Sequence, residues 1–178
     1  LTRTTHTTAE QARTQDRPEG VDINPWSHPF KSSMPSSIWR LAYRMLFAGG
    51  QSPMYTFRGN QELMKFLAQF YESGKPTAIV CHATAILLEI TLSNGQRLVE
   101  GKSWTGFADT EEQFADQAVG QRIQPFWIET EARKISDTNF QVKAPFTPYA
   151  IKDGNLITGQ QQNSGGVAAE LVIETLES

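Results

Sequence analysis

The segment Ala78-Ile79-Val80-Cys81-His82-Ala83 constrains this chain more than any other, because an apolar run ends abruptly on its single cysteine. A short continuous apolar run reads as a fully buried strand, and the small residues after His82 suit the start of a helix. A buried strand that stops on a nucleophile is the layout of a nucleophile elbow, where a strained turn lifts the reactive atom above the sheet. The Cys81 thiol then lies at a helix N-terminus, whose partial positive charge favours the thiolate. The competing reading is a buried structural cysteine at a strand end. The adjoining His82 and the Gly49-Gly50 pair upstream shift the balance to the reactive one.

At 178 residues the chain is expected to form one domain around a single core. A formal net charge of -3, with no basic cluster, argues against a nucleic-acid partner. One cysteine cannot close an intramolecular disulfide and falls short of a zinc-ligand pattern, so a reducing cytoplasmic setting and no metal are expected. There is no apolar stretch long enough to span a bilayer, no secretory pattern at Leu1 and no internal repeat. The expectation is a soluble domain without a membrane partner.

Composition changes near Phe47. Residues 1 to about 38 are rich in Thr, Arg, Gln and Pro and hold no run suited to a buried strand, so residues 1–46 are expected to be poorly ordered. Ser37 to Phe47 is apolar with interspersed arginines, a pattern for a short amphipathic helix around Ile38-Trp39-Arg40-Leu41-Ala42-Tyr43-Arg44. His6 and His28 lie in the unpatterned stretch and are expected to be solvated.

Beyond Phe47 the text is that of an ordered α/β chain. Ala48-Gly49-Gly50 ends a strand over Met45-Leu46-Phe47. Leu63, Phe66, Leu67 and Phe70 have helical spacing, with Asn60 as cap, Glu62 in the first turn and Gly74 as the stop. Thr77 to Val80 is a strand, and Cys81 opens a helix through about Leu88. Asn94-Gly95 marks a tight turn between two short extended pieces, and Lys102 to Thr105 reads as a strand. Asp109 is expected to cap a helix from Thr110, with Glu111 and Glu112 in its first turn. Pro125 suits the first position of a helix over Phe126 to Lys134. Asp153-Gly154-Asn155 joins strands over Tyr149 to Lys152 and Leu156 to Thr158. Asn163 or Ser164 caps a final helix with a stripe of Val167, Leu171 and Leu176. Helices alternating with short apolar strands predict a mostly parallel sheet covered on both faces. Ligands in such folds sit beyond the carboxyl ends of the strands, where Gly49-Gly50 and Cys81 both fall.

Three stretches, Gly74 to His82, Glu100 to Phe107 and Asp153 to Gln160, together resemble the DJ-one/PfpI superfamily. The Thr105-Gly106-Phe107 run followed by Glu111-Glu112 looks most like its heat-shock-protein-31 branch. The resemblance covers residues 47–178. It implies a flavodoxin-like three-layer α/β sandwich of the class I glutamine amidotransferase type. It also implies a nucleophile at Cys81, a proton-shuttling His82 and an acidic triad member at Glu112, with Glu111 and Asp109 as alternatives. A thiolate attacks a carbonyl carbon, an imidazole moves the proton, and a carboxylate holds the imidazole in the right tautomer. Backbone N–H groups of Gly50 and His82 are candidates for an oxyanion hole, and Gly49 and Ala83 for substrate contact. Ordinary first-turn helix electrostatics is the competing account of Glu112.

Trp104 and Trp127 occupy apolar phases of a strand and a helix and are expected in the core. Gly49-Gly50 lacks the spaced glycines of a dinucleotide fingerprint. Asn163-Ser164-Gly165-Gly166 reads as a helix cap with a substrate role as its alternative. Ala83 stands where the family usually has glycine, and residues 1–46 match none of the family's first strands. An acidic residue that the family places beside its nucleophile has no counterpart in the sequence. A truncated product, or an N-terminal portion in an altered frame, is the expectation from that mismatch. The functional expectation is cofactor-independent, glyoxalase III-like chemistry on small reactive aldehydes, methylglyoxal plus water giving lactate. The rivals are a PfpI-type amidase or peptidase and a non-enzymatic chaperone or redox sensor using the same thiol. The partner is then a small aldehyde or amide substrate, with a homodimer left open.

Overall fold

The computed structural model describes residues 44–177. His6, His28 and all but the last residues of the segment 1–46 lie outside the described residues, as does most of the helix expected around Ile38–Arg44.

Strand β1 spans Met45–Phe47 and pairs in parallel with β2, Thr77–Val80. Strand β2 pairs in parallel with β6, Leu156–Gly159, which in turn pairs antiparallel with β5, Ala150–Asp153. The order is β1-β2-β6-β5, a mostly parallel α/β sheet as expected. All four residues of β2 and all four of β6 are buried, which is why both read as unbroken small and apolar runs rather than alternating ones. The Asp153-Gly154-Asn155 signal makes the β5–β6 hairpin, with Gly154 at φ 62° in the turn.

A short helix α1, Pro53–Thr56, follows the Gly49-Gly50 loop. Helix α2, Gln61–Glu72, begins where the sequence predicts: the Asn60 side chain accepts from the Leu63 N–H at 3.1 Å. It buries Leu63, Met64, Leu67, Ala68 and Phe70 in the core. The turn at Asn94-Gly95 also forms, although its extended flanks meet only through the Thr91–Arg97 bridge.

Several boundaries differ from the sequence reading. The Lys102 to Thr105 strand reduces to β3, Ser103–Trp104, which leaves the main sheet and pairs in parallel with β4, Asn139–Phe140. Helix α3 spans Asp109–Val119 and its N-cap is Ala108, not Asp109. Glu111 explains the shift, since its carboxylate accepts the Ala108 N–H at 3.0 Å and does the capping from inside the helix. Helix α4 is only Ile128–Ala132 with Trp127 at its N-cap, so Pro125 lies in the preceding turn. Trp104 is fully buried as expected, whereas Trp127 is only half-buried.

The final helix, α5, spans Gly165–Glu177 and packs on β2, β5 and β6. Its buried residues are Ala168 and Val172, with Leu171 partly buried beside them and Leu176 41% exposed. The buried line of the helix thus runs through Ala168 and Val172, one residue beyond the expected Val167 and Leu171, and Leu176 is not part of it. Gln161 caps the short 3₁₀ turn Gln162–Ser164, its side chain accepting the Asn163 N–H, and Ser164 directly precedes α5.

Candidate active site

Strand β2 delivers Cys81 to the carboxyl edge of the sheet, and there the backbone turns sharply. Cys81 has φ 63°, one of three non-glycine residues with positive φ among the described residues. A left-handed conformation costs an ordinary L-residue of order 1–3 kcal/mol and persists only where its surroundings impose it. Two contacts impose it here. The Thr84 hydroxyl donates to the Cys81 carbonyl at 2.7 Å. Gly106 packs so close that a Cβ there would lie 2.3 Å from the Thr84 hydroxyl, so glycine leaves the room that Thr84 needs. The segment after Cys81 is a 3₁₀ helix, Cys81–Leu88, rather than the α-helix expected, and every residue in it is buried.

His82 turns back toward the thiol. Its Nδ1 lies 3.6 Å from Cys81 Sγ, and its Nε2 lies 3.0 Å from Glu112 Oε1 on the first turn of α3. His82 and Glu112 are 3% and 1% exposed. Burial opposes the imidazolium, but its hydrogen bonds to Cys81 and Glu112, together with their charge, outweigh it. The His82 pKa is pushed up from its ordinary 6.5 to about 9. Phe107 stacks on the imidazole, with ring centroids 3.9 Å apart. Cys81, His82 and Glu112 therefore form one connected line of hydrogen-bonding groups.

The two alternative carboxylates are occupied elsewhere. Asp109 accepts from the backbone N–H and hydroxyl of Thr130 on α4. Glu111 is fully buried and accepts from Ala108, Phe146 and Gln160. The carboxylate bonded to His82 is that of Glu112.

On the opposite side, Gly49 lies against the thiol. A Cβ at Gly49 would sit 2.5 Å from Cys81 Cβ, 2.9 Å from Sγ and 3.0 Å from the His82 backbone nitrogen. Gly50 follows with φ 104°, a conformation that favours glycine, and nothing within 4 Å of its Cβ position. Gly49 is thus required by close approach and Gly50 by backbone geometry. Ala83 is fully buried in the core cluster, so its methyl group does not line an open cleft. Among the described residues no group of three or more His, Cys, Asp or Glu side chains is placed to hold a metal ion, and no helix is long and apolar enough to cross a membrane.

Four contributors escape the sequence reading: Thr84, Gly106 and Phe107, which shape the elbow and cover His82, and Gln160, which bonds Glu111. All four lie within or beside stretches that carry the resemblance. Their individual jobs depend on contacts across the fold.

Comparison with known proteins bears on the family and the fold. The chain is 28% identical over 151 residues to "Glutathione-independent glyoxalase HSP31" of Saccharomyces cerevisiae, covering 83% of this chain and 64% of that protein. It is 30% identical over 138 residues to "Probable glutathione-independent glyoxalase hsp3104" of Schizosaccharomyces pombe, covering 76% and 62%. The fold matches the crystal structure of glyoxalase III from Candida albicans with a TM-score of 0.63 at 24% identity, over 75% of this chain and 56% of that one. The chain thus spans less than two thirds of the length of each of these relatives. With residues 44–174 matching the DJ-1/PfpI family as a whole, and the strand, elbow and flanking loops arranged around one thiol, this chain belongs to the DJ-1/PfpI family.

Proposed function

We propose that this chain acts on small reactive aldehydes without a cofactor, converting methylglyoxal and water to lactate. The observation that carries the reading is the buried line from Cys81 Sγ to His82 Nδ1 and from His82 Nε2 to Glu112, set on a left-handed elbow. The names of the yeast relatives point to the same substrate class.

The chemistry balances within the substrate. The Cys81 sulfur adds to the aldehyde carbon, and the imidazolium of His82 gives its proton to the oxygen as charge develops there, forming a hemithioacetal. A pKa pushed up to about 9 keeps His82 protonated for that step at neutral pH. The neutral imidazole then takes the proton on the former aldehyde carbon, giving an enediolate, and returns it to the adjacent carbon, while the hydroxyl proton passes from the first oxygen to the former ketone oxygen. The aldehyde carbon has been oxidised to a thioester and the ketone carbon reduced to an alcohol, so no external oxidant or reductant enters. Water then hydrolyses the thioester, releasing lactate and the thiol. Glu112 holds the Nε2–H of His82 throughout, which leaves Nδ1 facing the sulfur.

The backbone N–H groups of Gly50 and His82 are the proposed donors to the developing oxyanion, with Gly49 as the wall that admits the substrate carbonyl. Cys81 is only 6% exposed, which favours a two- or three-carbon aldehyde over a peptide. The reaction needs a reduced thiol, in keeping with a reducing compartment.

The test is lactate formation from methylglyoxal by the purified chain with no glutathione present. Lactate should form with the wild type and fall to background with Cys81→Ser. Lactate output that survives this substitution, or amide cleavage with no lactate, rejects the proposal. Suppression of client aggregation that Cys81→Ser leaves unchanged, with no turnover, would favour the chaperone alternative.

A further inference from the structure

We propose that Glu111 is a positioning residue, tying the helix that carries Glu112 to the strand beside Cys81 and so fixing Glu112 against His82. This rests on the reading that Cys81, His82 and Glu112 work together.

Glu111 is fully buried, and its two carboxylate oxygens take three hydrogen bonds from three parts of the fold. Oε2 accepts the Ala108 N–H at the start of α3 at 3.0 Å. Oε1 accepts the Phe146 N–H at 2.8 Å and Gln160 Nε2–H at 3.0 Å. A buried carboxylate is costly unless its lone pairs are satisfied, and a fully satisfied one rigidifies what it joins. Capping α3 requires only the Ala108 bond, so the other two need a separate reason.

The path through Gln160 supplies it. Val80 and Gly159 are paired in the parallel ladder between β2 and β6. Cys81 follows Val80 and Gln160 follows Gly159, so the nucleophile and the Gln160 anchor leave adjacent strands at the same level. Gln160 bonds Glu111, Glu111 sits next to Glu112, Glu112 holds His82, and His82 faces Cys81. The chain of contacts closes on itself. Gln160 Oε1 also accepts the Lys143 N–H at 2.8 Å, fixing the loop that presents Phe146. Phe146 has φ 59°, and Asn163 Nδ2 donates to its carbonyl at 2.9 Å, so that loop too is held in an unfavourable backbone conformation by its neighbours.

The test is Glu111→Gln, which keeps the size but replaces an acceptor oxygen with a donor amide, so that one of the three N–H groups meets another donor. Displacement of about 1 Å in such a site costs about 100-fold in rate. In Glu111→Gln, kcat on methylglyoxal should fall by that order with KM changed less than about twofold. The His82 ring, followed by NMR without substrate, should titrate well below the wild type. Adding Glu111→Gln to Glu112→Gln should cost little beyond Glu112→Gln alone, because both act through the same contact. A wild-type His82 titration in Glu111→Gln overturns the proposal, and so do losses that multiply in the double variant. Should Glu111→Gln not fold, Gln160→Ala removes one donor of the three and is judged by the same titration. Since the titration needs no turnover, a chain inactive on methylglyoxal still decides the question.

Discussion

Phe107 lies flat against His82, its ring plane 20° from parallel and its centroid 3.9 Å away. A protonated imidazole over an aromatic face gains about 0.5–2 kcal/mol from the ring quadrupole, and the same ring excludes water from one side. Phe107→Leu keeps the apolar cover and removes the quadrupole. His82 should then titrate below its wild-type pKa, and turnover should drop severalfold, read by ring-proton NMR and lactate assay. An unchanged titration would reduce Phe107 to packing alone.

Gly49 and Gly50 predict separable defects. In Gly49→Ala the new methyl group overlaps Cys81 Cβ and Sγ, so the thiol or the loop must move. Iodoacetamide labelling of Cys81 should slow at least tenfold, with overpacking costing about 1–3 kcal/mol of stability. Gly50→Ala meets no atoms within 4 Å but places a side chain at φ 104°. It should cost stability through backbone strain while leaving the labelling rate nearer the wild type. Denaturant unfolding and labelling kinetics together distinguish the two.

The His82 pKa also sets a pH dependence of stability. It rises on folding from 6.5 to about 9, so the native state holds the proton more tightly than the unfolded chain. The stabilisation is complete below pH 6.5 and is lost as the pH climbs through about 9. Urea unfolding of the wild type and His82→Gln across pH 6 to 9.5 isolates this contribution. The wild-type advantage should shrink with rising pH. An advantage that grows would show that His82 is held neutral in the fold.

Thr84 and Gly106 should behave as a coupled pair. Gly106→Ala drives a methyl group to 2.3 Å from the Thr84 hydroxyl and should destabilise by about 1–3 kcal/mol. Thr84→Ala leaves the Cys81 carbonyl without that donor, at a cost of about 1–3 kcal/mol. Once Thr84 is truncated, Gly106→Ala should cost markedly less. Strictly additive losses in thermal unfolding would show that the two do not meet as the structure places them.

Much of the fold is legible locally. The β2 strand, the Asn60-capped helix, the Asn94-Gly95 turn and the Asp153-Gly154-Asn155 hairpin each rest on signals within a few residues, and each forms. The misplacements share a different cause. Asp109 looks like an N-cap because its residue type suits the job, yet the cap is Ala108 because the buried Glu111 carboxylate satisfies the helix start. The expected Lys102 to Thr105 strand shortens because its partner is β4, a two-residue strand with no pattern of its own. The final helix buries Ala168 and Val172 instead of the larger Leu176, since its register answers to the sheet beneath it.

By itself the sequence determined that an apolar strand ends on Cys81, that His82 follows, and that glycines and carboxylates flank them in an α/β order. Those are matters of spacing along the chain, where burial period and turn chemistry act over a few residues. Only the tertiary structure decided which carboxylate meets His82. Asp109, Glu111 and Glu112 share the first turn of one helix, and their spacing treats them alike. They point in different directions around its axis, and packing sends Asp109 to Thr130, Glu111 to Phe146 and Gln160, and Glu112 to His82. The strained turn at Cys81 is decided the same way, because a positive φ on a cysteine survives only when Thr84, held in place by the room Gly106 leaves, closes around it.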